Sequence, residues 1–320
     1  MLRTMDPSLS MPDPLAQWLG AHAWQIFIAT LPLLAIVVAA LALAWRHASR
    51  PMREAEEPDL RWLILALLLG FGVVVAAGAA FAEIADALGD GHVLGHWDDS
   101  FSAAVAAQTP PAVHRSFAVL TRFADPLPMV VLGLVVAALL WRKRHRVYAT
   151  GWVMALGGNA LLNHSLKLIF ERARPVHESG IVAATGYSFP SGHSSGAVVA
   201  YGMLAFLACR LLPPAWHVPA IVAAALLSVT AACSRVFVLV HFPSDVLAGM
   251  LSGSAWLMVC ILAVTAARHH GRVRAARTVR AADGPWSAAV PATCRHRPGG
   301  HSGEWPTRLP PPRRLFFVVT

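Results

Sequence analysis

Three polar clusters interrupt an otherwise apolar chain, and their residue types are those that bind and transfer phosphate. The first carries Lys167 and Arg174, which are seven residues apart, with Pro175 directly after them. Seven residues are about two turns of an α-helix, so both cations can point to one side if a helix continues that far. Basic side chains at a membrane surface often only extend their charged ends to water, so this cluster alone does not define a site.

The second cluster is Pro190-Ser191-Gly192-His193, and proline followed by small polar residues is typical of a helix start. The backbone N–H groups of Ser191, Gly192 and His193, with the positive end of the helix dipole, would then form an anion site. The Ser191 hydroxyl would add a donor. Taken by itself, the same run is more often ordinary turn or cap chemistry.

The third cluster contains Arg235, His241 and Asp245. A charge such as Arg235 within an apolar run is costly, and by default it marks a functional or partnered site. Asp245 would lie in the first turn of a helix that begins at Pro243, where its carboxylate can fix the His241 tautomer and stabilise the cationic imidazole. A histidine and an aspartate at this spacing are more often a cap or a structural pair.

The composition predicts a membrane protein. Of 320 residues, 56% are hydrophobic and 13% are charged, and the mean hydropathy is +0.55. Soluble domains have about 45–50% apolar and about 25% charged residues. The formal charge of +9 comes from short basic clusters beside apolar runs, as in topology signals, so we expect no nucleic-acid partner.

The cysteine and acidic residue patterns predict neither a metal site nor a cofactor. The four cysteines form no CxxC pair, and no Asp/Glu or His/Cys cluster suited to Mg²⁺ or Zn²⁺ accompanies the three motifs. We therefore also expect no disulfide framework.

Seven stretches approach the roughly 20 apolar residues that a membrane-spanning helix needs, which predicts an all-α, polytopic transmembrane helix bundle. They are 24–45, 62–84, 117–141, 148–170, 191–211, 217–239 and 244–267. The first half of the third stretch is broken by charges and prolines, which favours a short interfacial helix there. We predict an N-terminal segment with one transmembrane helix and a cytoplasmic linker (1–61), a membrane domain (62–267) and a basic, Pro-rich, disordered cytoplasmic tail (268–320).

Basic clusters follow the first, third and seventh stretches, and cytoplasmic flanks are enriched in Lys and Arg. Alternation then places the three polar clusters together at the exterior or periplasmic face and the C-terminus in the cytoplasm. Three cations, a helix N-terminus, two histidines and one aspartate meet the needs of phosphoryl transfer. One histidine would attack phosphorus while the other protonates the leaving oxygen.

The pattern Lys-x6-Arg-Pro, Pro-Ser-Gly-His and Ser-Arg-x5-His-x3-Asp resembles the type 2 phosphatidic acid phosphatase superfamily of membrane lipid phosphatases, over about 62–267. The resemblance implies a six-helix core, to which 24–45 adds one helix. It further implies that His241 forms a phosphohistidine, that Asp245 is its partner and that His193 is the acid. The residues that would hold the phosphoryl oxygens are Lys167, Arg174, Arg235, Ser191 and Gly192. Leu239 is a departure, since many relatives have glycine at this position.

A membrane-embedded site at the outer leaflet suits a lipid phosphate or diphosphate, such as phosphatidic acid, phosphatidylglycerophosphate, undecaprenyl diphosphate or lipid A. We expect hydrolysis in a bacterial inner membrane. A lipid phosphotransferase would use the same residues, and an anion-binding membrane protein or transporter would need the cations but not the two histidines. The substrate, the oligomeric state and the roles of the N-terminal helix and the tail stay open.

Overall fold

The computed structural model describes residues 13–48, 60–89, 93–175 and 184–282. Within these ranges the chain forms ten α-helices and two short 3-10 helices, with no strand, which confirms the all-α prediction. The α-helices are α1 (Pro14–Ala21), α2 (Ala23–Ala48), α3 (Leu60–Gly89), α4 (Val93–Gln108), α5 (Pro111–Leu120), α6 (Pro126–Arg142), α7 (Arg146–Phe170), α8 (Gly192–Leu211), α9 (His217–Phe237) and α10 (Pro243–Ala282). The 3-10 helices are Thr121–Ala124 and Pro214–Trp216.

Six segments of the described chain are long and apolar enough to cross a membrane. They are Ala23–Ala48, Ile64–Leu88, Pro111–Arg142, Gly192–Leu211, Pro214–Phe237 and Pro243–Ala275. They match six of the seven predicted stretches, and the chain is an integral multi-pass membrane protein. The remaining stretch, 148–170, is the 25-residue helix α7, whose hydropathy is reduced by Asn159, Asn163 and His164. That α7 crosses the bilayer therefore stays a prediction.

The third segment is interrupted where charges and prolines occur in the sequence. Helix α5 ends at Leu120, a 3-10 turn follows, and α6 starts at Pro126 after the N-cap residue Asp125. The Asp125 side chain makes no capping hydrogen bond. Its carboxylate is therefore available to other parts of the fold.

The tail predicted to be disordered from residue 268 begins as helix instead, because α10 continues to Ala282. Alanine and arginine are strong helix formers and dominate this stretch, so they extend a helix that is already nucleated. Residues 283–320 and 1–12 lie outside the described part of the chain. The described residues up to Thr265 form one compact unit, and 266–282 belong to a second.

Helix packing brings the helices that carry the polar motifs together. Helix α8 packs against α7 and α9, α7 packs against α6, and the N-terminal helix α2 packs against α9. Helix α10 approaches α8 closely at Gly253, where an added Cβ would lie 2.8 Å from the Ser195 carbonyl oxygen. Small residues permit such close helix contacts in membranes. The first turn of α8 therefore lies against α10 at Gly253 and, one turn earlier in α10, at Gly249.

Candidate active site

His241 lies in the short connection between α9 and α10, and its side chain is only 3% exposed. Its Nε2 is 3.1 Å from Arg174 Nη1, and its Nδ1 is 3.4 Å from Asp245 Oδ2. A guanidinium can only donate, so Nε2 is the acceptor and Nδ1 carries the proton that faces the carboxylate. In this tautomer the Nε2 lone pair accepts from Arg174, and it becomes free to attack an electrophilic phosphorus when a phosphoryl oxygen takes its place as the acceptor of that N–H.

The charge state of His241 suits a nucleophile. Burial lowers the pKa of His241 well below its ordinary value, although the Asp245 carboxylate acts in the opposite direction. The imidazole is therefore neutral near pH 7.

Asp245 is fully buried in the first turn of α10 and receives donors on both carboxylate oxygens. Oδ2 accepts the Phe242 N–H at 2.9 Å and the Ser188 hydroxyl as well as facing His241. Oδ1 accepts from Arg172 Nη1 at 2.7 Å. These contacts hold the carboxylate in one orientation toward the imidazole.

The first motif does not lie on one helix, so the condition for its two cations to share a helix face is not met. Helix α7 ends at Phe170 because Glu171 takes a left-handed conformation with φ of 45°, so Arg174 follows in extended chain. Arg174 donates to the carbonyl oxygens of Gly186 and Val240 in addition to His241. Its half-buried guanidinium has a pKa below the ordinary value because of desolvation.

Lys167 stays on α7 and reaches the same connecting segment as Arg174. Its Nζ donates to the carbonyl oxygens of Tyr187 and Ser188, the latter at 3.3 Å. Arg174 Nη2 also donates to Tyr187 O, at 3.2 Å. The fold therefore brings the two predicted cations together through a shared backbone segment rather than through helix periodicity.

Arg235 is 4% exposed near the end of α9. Its Nη1 donates to the Thr121 hydroxyl at 2.8 Å, while its Nε has no hydrogen-bond partner among the described residues. Leaving a buried charged donor unsatisfied is costly, and such groups often mark ligand sites.

The second motif forms the N-terminus of α8 as predicted, with one correction. The Ser191 N–H donates to the Asp245 carbonyl oxygen at 2.9 Å, so it is not available to an anion. The Ser191 side chain is buried and caps the helix by accepting from the Ser194 N–H. Gly192 and His193 occupy the first helical positions, where N–H groups have no intrahelical acceptor.

Gly192 lies close to the Asn163 side chain, which would have to shift to admit a larger residue. An added Cβ there would lie 2.9 Å from Asn163 Oδ1 on α7. The Asn163 side-chain amide nitrogen donates to the Pro190 carbonyl oxygen at 3.4 Å. The second motif is thereby seated against α7, next to the cations.

His193 Nε2 lies 2.8 Å from Asp125 Oδ1 at the start of α6. Its imidazole also interacts electrostatically with the positive charges of Arg235 and Arg174. The structure therefore brings all three motifs into one cluster. Sequence reasoning missed Asp125, although a carboxylate within an apolar stretch is itself a signal of a partnered site.

Sequence reasoning also missed Asp98, Arg172 and Ser188. Asp98 lies fully buried on α4 and forms an ion pair with Arg172. Burial raises the pKa of Asp98, and the hydrogen bonds from Ser244 and Arg172 oppose that shift. Nothing in the spacing of the motifs reveals these contacts, because they join parts of the chain that are far apart in sequence.

A cavity of about 550 Å³ opens beside His193 and runs between α6 and α7. Near His193 and Gly192 its wall includes Asn163, and farther along it is apolar, with Leu134 and Leu156. A mostly apolar cavity with a few polar groups at one end is the usual form of a small-molecule site.

The sequence matches the profile of the PAP2 superfamily over residues 148–269. It is 29% identical over 163 residues to phosphatidylglycerophosphatase B of Bacillus subtilis, covering 49% of this chain and 77% of that protein. It is 32% identical over 171 residues to lipid A 1-phosphatase of Rhizobium etli, covering 46% of this chain and 70% of that protein.

The fold is also similar to a solved structure, the crystal structure of the first transmembrane PAP2 type phosphatidylglycerolphosphate phosphatase from Bacillus subtilis. The TM-score is 0.54 at 26% identity, and the match covers 58% of this chain and 93% of that one. The chain therefore belongs to the PAP2 superfamily and is a membrane phosphatase.

Proposed function

We propose that the protein hydrolyses a lipid phosphate or diphosphate through a phosphohistidine on His241, without a metal ion. The observation that carries this proposal is the geometry of His241. Its Nε2 faces Arg174 at 3.1 Å, while its Nδ1 faces the buried Asp245. A neutral imidazole oriented by a carboxylate is the arrangement that nucleophilic catalysis requires.

In the first step, the Nε2 lone pair of His241 forms an N–P bond as the P–O bond to the leaving group breaks. The leaving oxygen takes a proton from protonated His193, and Asp245 stabilises the cationic phosphohistidine. In the second step, water attacks phosphorus, His193 accepts its proton, and the N–P bond breaks to release phosphate. His193 is thereby acid in one step and base in the next.

The cations would stabilise the charge that develops on the phosphoryl oxygens. Arg235 supports this role, because its buried Nε lacks a protein acceptor among the described residues. Lys167, Arg174 and the N-terminus of α8 at Gly192 and Ser191 would complete the cradle, with Ser191 contributing through its capping of the helix. Positive side chains would then supply what Mg²⁺ supplies in other phosphatases.

The lipid nature of the substrate is supported by the cavity beside His193. An alkyl chain would lie between α6 and α7 while its phosphate reaches the cations. The two curated relatives are named for phosphatidylglycerophosphate and lipid A, which are both lipid phosphates. Phosphatidic acid and undecaprenyl diphosphate have the same general form and remain candidates.

The orientation is part of the proposal. The site is built at the C-terminal ends of α7 and α9 and the N-terminal ends of α8 and α10, whereas the basic cluster Arg142–Arg144 follows the C-terminal end of α6. The positive-inside bias then supports a site on the periplasmic face of a bacterial inner membrane, with the C-terminus in the cytoplasm.

The test is phosphate release by purified protein in detergent from phosphatidic acid, phosphatidylglycerophosphate, undecaprenyl diphosphate and lipid A, with and without EDTA. We expect release from at least one lipid, unchanged by EDTA and abolished in His241→Ala. His164→Ala is the matched control, because His164 lies exposed on α7. Full activity in His241→Ala would refute the nucleophile, and EDTA inhibition reversed by Mg²⁺ would refute the metal-free site. Transfer of phosphate to an added alcohol instead of water would indicate a phosphotransferase.

A further inference from the structure

Asp98 and Arg172 form a buried ionic network that the proposed chemistry does not use directly. Arg172 divides its guanidinium between two carboxylates, with Nη1 2.7 Å from Asp245 Oδ1 and Nη2 2.8 Å from Asp98 Oδ2. Both carboxylates are fully buried, and the arginine side chain is 16% exposed. One cation is thus shared between two anions away from bulk water.

The network has few alternative arrangements. Ser244 donates its hydroxyl to Asp98 Oδ2 and its N–H to Asp98 Oδ1, and its hydroxyl oxygen accepts from Arg172 at 2.7 Å. The guanidinium also lies over the Phe242 ring, 4.3 Å from its centroid. These contacts join α4, the segment after α7 and the first turn of α10, which is the turn that carries Asp245.

The charges in this network decide how strongly Asp245 acts on His241. With both carboxylates ionised, Asp98, Arg172 and Asp245 together carry one net negative charge. Without the Asp98 charge, Arg172 and Asp245 would cancel each other, and the carboxylate would be a weaker partner for a cationic imidazole. Interactions between charges at these distances are strong where water is excluded.

We propose that Asp98, acting through Arg172, is a positioning residue that keeps Asp245 oriented and negatively charged toward His241 during phosphoryl transfer. The inference rests on the proposed function, since it assigns a supporting role at the same site. Asp98 does not touch the reacting atoms. Its effect should therefore be on the rate of forming the cationic phosphohistidine rather than on lipid binding.

The test compares Asp98→Asn with Asp99→Asn in purified full-length protein. Both variants lose one carboxylate on α4, but Asp99 is exposed and Asp98 is buried. We expect Asp98→Asn to lower kcat by roughly 10-fold to 100-fold, the range found for outer hydrogen-bond partners of catalytic ligands, with KM changed less than about threefold. Rapid-quench measurement of phosphoenzyme formation should show the same loss, and Asp99→Asn should match the wild type.

Two further variants keep the test decisive if Asp98→Asn does not fold. Arg172→Lys keeps the positive charge, but a single ammonium does not reproduce the bidentate fork, so kcat should again fall while KM is retained. Ser244→Ala removes only one hydroxyl and should give a smaller loss of the same kind.

The outcomes separate the two proposals. A wild-type protein that releases phosphate from none of the lipids refutes the proposed function. An active wild type with Asp98→Asn, Arg172→Lys and Ser244→Ala all equal to Asp99→Asn in kcat refutes the positioning role. Variants that lose only thermal stability, with unchanged kcat for each folded molecule, would also overturn it.

Discussion

The His193 Nε2 lies 2.8 Å from Asp125 Oδ1, so the proposed acid and a carboxylate at the start of α6 form an ion pair when the imidazole is protonated. The two residues are separated in sequence by 68 positions. Asp125 thereby connects the broken third membrane segment directly to the second motif.

Asp125→Asn should slow hydrolysis of a lipid phosphate by about tenfold, because protonated His193 loses its counter-ion and general acid catalysis contributes about 10²-fold to 10⁴-fold. The loss should be much smaller for p-nitrophenyl phosphate, whose leaving group needs no proton. The measurement is kcat/KM for both substrates, with His193→Gln in parallel. Equal losses on the two substrates would contradict the acid role.

Arg235→Gln should lower kcat/KM for a lipid phosphate by roughly 10²-fold to 10³-fold, which is the effect of removing one donor to a transition-state oxyanion. The buried guanidinium has an unsatisfied Nε among the described residues, and glutamine cannot replace its charge. Arg122→Gln is the matched control, because Arg122 is exposed on the adjoining 3-10 turn. A similar loss in both variants would point to a general charge effect and against a specific phosphoryl contact.

Gly157→Leu should raise KM for long-chain lipid phosphates and leave a short-chain, water-soluble analogue unaffected. Gly157 lies in the wall of the cavity, and an added Cβ meets nothing within 4 Å, so the larger side chain fills space without a backbone clash. Gly72→Leu on α3 is the control, since its added Cβ also meets nothing within 4 Å and it does not line this cavity. The measurement is KM of both variants for a series of lipid phosphates with increasing alkyl chain length. An unchanged KM of Gly157→Leu for the long chains would exclude the cavity as the alkyl site.

The folded protein should lose stability as the pH falls below about 6.5, the ordinary histidine pKa. The pKa of buried His241 is lowered, so below this pH the unfolded chain binds a proton that the folded chain does not. The free energy of unfolding should fall by about 1.4 kcal/mol per pH unit from this group, down to its folded pKa, and be regained as the pH rises. Thermal unfolding of wild type and His241→Gln between pH 7.5 and 4.5 measures the contribution of His241 as the difference between the two proteins. If the stability of both proteins changes with pH in parallel, His241 makes no such contribution.

Leu239 has φ of 58°, a left-handed conformation that costs a residue with a Cβ about 1–2 kcal/mol. This explains why glycine is expected at this position, and the buried Leu239 side chain packs against Val105 and Phe117. Leu239→Ala should therefore cost about 2–5 kcal/mol, whereas Leu239→Gly should be more stable than the alanine variant by about 1 kcal/mol.

The control for this comparison is Leu140, which is buried on helix α6. There the order should reverse, with glycine less stable than alanine by about 1 kcal/mol. Thermal unfolding in detergent measures all four variants. An alanine variant more stable than the glycine variant at position 239 would contradict the strain.

Local sequence patterns were sufficient to predict the long apolar helices and the break in the third segment, but they did not predict α1 or α4. Helical spacing did not predict the position of Arg174, because one left-handed residue, Glu171, ended α7 before the second cation. It also did not show that the Ser191 N–H is already bonded to Asp245. The Asp98–Arg172 pair depends on how α4 packs against the segment that follows α7, which is a tertiary contact that no short-range pattern encodes.

Helix α7 combines Lys167 with Asn159 and Asn163, and its hydropathy falls short of the six membrane segments. The polar side chains that serve the site are thus unfavourable in contact with lipid. Insertion of α7 into the bilayer by itself is therefore unfavourable. The neighbouring helices α6 and α8 pack against α7, and α8 supplies a hydrogen-bond partner for Asn159. We therefore expect α7 to insert together with its neighbours during synthesis rather than alone.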